Sequence, residues 1–65
     1  MISYPKIGQL VQVWYAKKWL PMPLHGKIGE VMFCASEHRM RNHAIAIDGK
    51  VYAIPAGNLR EVPNE

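Results

Sequence analysis

The chain holds a single cysteine, Cys34, so no disulfide can form within it. That excludes a disulfide-stapled mini-protein and makes a reducing compartment the natural setting. No apolar run approaches the eighteen or more residues that a membrane-spanning helix requires, and the N-terminal stretch lacks a signal-peptide layout. Together these absences predict a soluble, cytoplasmic protein. Acidic residues are also few, five against eight lysines and arginines, which leaves a formal charge of +3. A surplus of this size is compatible with a polyanionic partner without requiring one. The five carboxylates, Glu30, Glu37, Asp48, Glu61 and Glu65, are scattered along the chain and offer no pair for general acid–base work.

What remains is a composition that folds. Apolar residues make up 49% and charged residues 20%, the balance of a globular chain rather than a disordered one. Sixty-five residues allow one domain with one small core, near the lower limit for independent stability. Without a disulfide to staple it, oligomerisation is a remaining route to extra stability.

The strongest local signal is Asp48-Gly49, set between two apolar-rich runs. An Asp-Gly pair in that setting marks a two-residue hairpin, because a type I′ turn needs positive φ at both central positions. A turn centred there opposes Ile47 to Lys50, Ala46 to Val51, Ile45 to Tyr52, Ala44 to Ala53 and His43 to Ile54. Opposed residues share a face. One face then carries Ile45, Ile47, Tyr52 and Ile54 and reads as core. The other carries Ala44, Ala46, Val51 and Ala53, small residues that would let a second copy approach closely unless Trp14 or the N-terminal arm covers them.

Ahead of the hairpin, residues 1–7 read as an extended arm with Tyr4 and Ile7 laid over the core. Leu10 to Tyr15 is a β-branched and aromatic run, read as a strand with Val11 and Val13 inside and Trp14 partly exposed. Residues 16–27 form the longest loop, in which Pro21 and Pro23 forbid a central strand. Residues 26–35 turn through two glycines into a second strand, with Ile28, Val31 and Phe33 inward and Met32 and Cys34 facing the other way. Residues 36–42 read as a polar loop. After Ile54, Pro55 to Leu59 predicts one turn of 3₁₀ helix, with Leu59 returning to the core and Val62 in a short closing strand. Residues 63–65 are a tail.

Ala53-Ile54-Pro55-Ala56-Gly57-Asn58-Leu59 resembles the closing segment of SH3-type domains. Gly26-Lys27-Ile28-Gly29-Glu30-Val31 is similar to the G-K/R-x-G-x-V core of the KOW motif, found in ribosomal proteins and transcription elongation factors of that fold. The resemblance covers roughly residues 8–62 and implies an all-β, five-stranded SH3-like barrel, with one 3₁₀ turn before the last strand. Small SH3-like proteins of phages and prophages look similar as well. The type II, plasmid-borne dihydrofolate reductases share the scaffold. Their strand V-Q-I-Y-P aligns with Val51-Tyr52-Ala53-Ile54-Pro55, and the leucine that follows it aligns with Leu59. The glutamine, isoleucine and tyrosine that line their pore become Tyr52, Ala53 and Ile54, so the polar contacts to folate and nicotinamide are missing.

The site that these features imply is a nucleic-acid groove. Lys17, Lys18, Lys27, Arg39 and Arg41 lie on two loops that such a barrel could bring to one end, with Trp14 or Trp19 beside them to stack bases. The plainer alternative is a solvated basic loop next to aromatics that plug the barrel. Trp19, Met22 and Leu24 could instead anchor a protein partner, or form a lid over the core. His25, His38 and His43 match no compact metal-ligand spacing, and Cys34 is the only thiol. Cys34 paired with His38 or His43 lacks a third group to orient it, so a buried structural thiol is the expectation. The expected protein is thus a binding module without cofactor, metal or catalytic residues. Its partner is nucleic acid or a host protein, and it could self-associate.

Overall fold

The computed structural model describes residues 1–15 and 23–63, apart from the Glu37 side chain. Five strands form one antiparallel sheet: β1 (Leu10–Val13), β2 (Ile28–Phe33), β3 (Asn42–Ile47), β4 (Lys50–Pro55) and β5 (Leu59–Glu61). Their spatial order is β4-β3-β2-β1-β5, so the chain meanders through four strands before β5 returns to pair with β1. The sheet stays open. β4 pairs with β3 and β5 with β1, leaving β4 and β5 as its two edges among the described residues. The five strands are those expected in number and order, although β1 ends at Val13 rather than Tyr15 and Val62 falls just past β5. Closure into a barrel is not formed as a ladder, because β5 has three residues, all of them paired to β1.

The hairpin has the register that its turn chemistry demands. Asp48 and Gly49 have φ of 51° and 82°, and the pairs run from Ile47–Lys50 through His43–Ile54 to Asn42–Pro55. Ile45, Ile47 and Ile54 are buried and Tyr52 is half-buried, while Val51 and Ala53 are exposed. The inward face of β1 is also as expected, since Val11 and Val13 are fully buried. With Val31 and Leu59 these residues complete the core, against which Ile2, Tyr15, Leu24 and Tyr52 pack.

The second strand departs from its expected facing. Ile28 is 47% exposed and the inward position belongs to Gly29. A Cβ on Gly29 would lie 2.6 Å from the Ala46 carbonyl oxygen, 2.6 Å from Ile47 Cγ1 and 2.7 Å from Ile45 Cγ2. The isoleucines of β3 therefore occupy the space that a side chain at 29 would need, and glycine is required for close approach rather than for a special φ. Further along, the β2–β3 register shifts between Val31 and Phe33, the mark of a β-bulge. The extra residue resets the alternation. Met32 remains outside, Phe33 is half-buried and Cys34 turns inward to be 4% exposed, against the facing read from alternation but as the buried thiol expected of it.

A second 3₁₀ turn, Ala35–His38, replaces the start of the expected polar loop and ends at Arg39 in the left-handed conformation, φ 57°. The other, Ala56–Asn58, stands where Pro55 and Leu59 placed it. The N-terminal arm is tied down differently from expectation. Tyr4 and Ile7 are exposed, whereas Ile2 packs on the core and Pro5 is buried. Backbone bonds from Ile2 N–H to Ala56 O and from Gly8 N–H to Val31 O hold the arm, and the Ser36 hydroxyl donates to Ser3 O.

Candidate nucleic-acid interface

The predicted basic set is divided by the direction of β2. Lys27 precedes the strand, and its ammonium lies 3.3 Å from Asp48 Oδ2 beside the hairpin turn. Arg39 and Arg41 follow the strand, after the 3₁₀ turn, and both are exposed. Six residues of strand separate the two groups, about 20 Å at the usual rise per residue. They therefore occupy opposite ends of the sheet rather than one end as expected, because an antiparallel meander enters and leaves a strand at different ends. Lys17, Lys18 and Trp19 lie outside the described residues, as does Met22. Leu24 packs against the core, so of the alternative docking set the one described residue serves as lid.

The Lys27 end holds a polar cluster built on the pairing of β1 with β5. Gln12 and Arg60 are register partners. Arg60 Nε–H donates to Gln12 Oε1 at 2.6 Å, and Gln12 Nε2 donates to Gly26 O at 3.0 Å, so both ends of the amide are engaged. The Arg60 guanidinium carbon sits 3.4 Å from the centroid of the Trp14 ring. A contact of that kind stabilises by about 0.5–2 kcal/mol, depending on how far the pair is desolvated. Trp14 is itself fixed at the backbone, its N–H donating to Asn58 O at 2.8 Å, while Asn58 Nδ2 reaches the Trp14 carbonyl at 3.4 Å. The His25 ring lies 4.3 Å from that of Trp14, and His25 Nδ1 accepts the Tyr15 N–H. Trp14 is half-buried and already in contact with the Arg60 and His25 side chains, which makes it a poorer base-stacking platform than an open indole.

Arg60 and Gln12 were not in the set read from the sequence. Arg60 follows the buried Leu59, and alternation in a strand would have placed it outward, but its partner lies 48 residues away in a different strand.

At the opposite end, the Phe33 and His38 rings stack at 4.8 Å and 19° beside Arg39. His43 is 1% exposed, and its Nδ1 accepts the Ala35 N–H at 2.9 Å. That bond assigns the neutral ring proton to Nε2, which meets no hydrogen-bond partner among the described residues. Burial pushes the His43 pKa below its ordinary value. With Nδ1 committed to a backbone donor and Nε2 unpartnered among the described residues, His43 makes no hydrogen bond to the buried thiol of Cys34. No group of three or more potential metal ligands occurs among the described residues.

The outward face of the sheet is apolar over most of its width. Ala46 has Val51 on one side and Glu30 on the other, and Glu30 in turn opposes Leu10. Leu10, Ile28, Met32 and Val51 are each 47–62% exposed. On this face Val51 and Ala53 are exposed and Ala44 and Ala46 half-buried, while the arm bonds to Val31, Ser36 and Ala56 and Trp14 bonds to Asn58 beside β5.

Compared with protein-family models, with curated proteins and with solved structures, the chain matches none. No helix among the described residues is long and apolar enough to cross a membrane.

Proposed function

We propose that this chain is a non-enzymatic, SH3-like binding module that associates with nucleic acid through its cationic surface. The supporting observation is that its cations are largely unpaired, on a chain with a formal charge of +3. Of the six described lysines and arginines, Lys27 alone takes part in an ion pair among the described residues, and it does so on an exposed surface where such pairs contribute little. Lys6, Arg39, Arg41, Lys50 and Arg60 remain to neutralise phosphates. The likeness of the Gly26–Val31 segment to the KOW motif supports the same reading, and the glycine within it, Gly29, is required by the close approach of β3 to β2. Cations at both ends of the sheet favour a strand lying along it rather than a ligand held at one end.

A salt titration of single-stranded oligonucleotide affinity tests this reading. Contacts to three or four phosphates give log K against log[salt] a slope of about −2 to −3. A flat response, or no binding near 50 mM salt, rejects it.

A second reading, contact with protein, has its own support in the apolar outward face on which Val51 and Ala53 are exposed and Ala44 and Ala46 half-buried. Small outward side chains permit close sheet approach, and a second copy of the chain is the simplest occupant. Sedimentation equilibrium is the measurement. Concentration-dependent assembly abolished by Val51→Lys supports this reading, and a monomer at all concentrations rejects it.

A further inference from the structure

The Arg60 cluster carries an inference that deepens the nucleic-acid reading and rests on it. An arginine stranded on a surface samples many rotamers, and ordering it on a ligand costs free energy. Arg60 is ordered in advance. Its Nε–H is taken by Gln12, whose amide is fixed in turn by Gly26 O, and its planar face lies on Trp14. Trp14 is itself held by two hydrogen bonds with Asn58 and by the ring contact with His25. The two Nη groups meet no acceptor and no carboxylate among the described residues. What the cluster presents is a braced fork of N–H donors, the geometry that takes two oxygens of one tetrahedral oxyanion.

We propose that Arg60, braced by Gln12 and Trp14, is a phosphodiester clamp, and that Trp14 acts as its support rather than as a base-stacking surface. The ligand is therefore read through its backbone and not through its bases. Lys27, on the segment that follows the Gly26 carbonyl, adds a second cation at the same end. Arg60 contacts the phosphate, while Gln12 and Trp14 are positioning residues.

The test compares a single-stranded deoxyoligonucleotide with an abasic strand of the same length and charge, by fluorescence anisotropy at low salt. The clamp requires the two to bind within about twofold of each other. Arg60→Ala should weaken both by roughly tenfold, as expected for losing a charge-assisted bidentate contact, and should flatten the salt slope by about 0.7. Arg60→Lys keeps the charge and loses the fork; it should recover the slope but not the affinity. An abasic strand that binds tenfold or more weakly overturns the clamp while leaving nucleic-acid binding intact, because the bases are then being stacked. Unchanged affinity in a folded Arg60→Ala variant overturns it as well. If neither strand binds, the nucleic-acid reading fails. Titration of inorganic phosphate against the Arg60 Nε–H resonance then decides the clamp alone: a saturable shift lost in Gln12→Ala upholds it, and no shift ends it.

Discussion

The two flanks of the sheet solve the same problem in different ways. On the β3–β4 side, order comes from apolar burial on one face: Ile45, Ile47 and Ile54 lie beneath a two-residue turn, and the opposite face is left almost without polar groups. On the β1–β5 side, β5 is three residues long and contributes only Leu59 to the core. β1 buries Val11 and Val13 as fully as the hairpin buries its isoleucines, and this flank adds directional contacts on its outer surface, Arg60 to Gln12, Gln12 to Gly26, and Arg60 over Trp14. One flank is held by what it hides. The other is held by that and also by what it displays, and the preformed donor fork belongs to the displayed part.

The comparison breaks most sharply on the hairpin. Ile45→Ala should cost about 2–5 kcal/mol, the range for truncating a fully buried aliphatic side chain, and in a domain of this size that approaches complete unfolding. Val51→Ala on the outward face of the same hairpin should stay within about 0.5 kcal/mol. Urea denaturation followed by circular dichroism measures both, and equal losses would mean that the two faces are not distinct.

Next in size is Gly29→Ala at the centre of the sheet. The added methyl group meets the Ala46 carbonyl oxygen, a backbone atom that cannot swing aside. The expected destabilisation is about 1–3 kcal/mol by the same assay. A neutral result would show that β2 and β3 can separate without penalty.

The smallest effect concerns His43. Its folded-state pKa is depressed by burial, so the unfolded chain binds the proton more readily. Stability is then full above pH 6.5, near the ordinary histidine value, and declines as the pH falls below it until the depressed folded-state pKa is reached. The slope cannot exceed about 1.4 kcal/mol per pH unit for one proton. Denaturation midpoints measured from pH 7.5 to 5.0 in His43→Gln and in the parent chain should converge toward acid. A parallel pair of curves would remove His43 as the source.

How far the sequence reaches depends on the distance between the groups that decide each feature. The hairpin was readable in full because Asp48 and Gly49 fix its register locally and every pairing then follows by counting. Leu59 and the 3₁₀ turn before it were readable from Pro55 for the same reason. The facing of β2 was not, because Ile28 looks like a core residue until Ile45 and Ile47 claim its neighbour's space, and because one bulged residue reverses Cys34. The separation of Lys27 from Arg39 and Arg41 was available from strand direction alone, since the segments on either side of a strand leave it at opposite ends. The clamp was out of reach: it joins Gln12 and Trp14 to Arg60 across a pairing that no short motif announces. Lys17, Lys18 and Trp19 lie outside the described residues.

The glycine in the middle of β2 also bears on which chains can share this fold. A Cβ at position 29 meets a backbone oxygen and two isoleucine side chains, so this strand alignment and a side chain at 29 work against each other. A chain that carries a bulky residue at the matching place and still folds this way must widen the gap between β2 and β3.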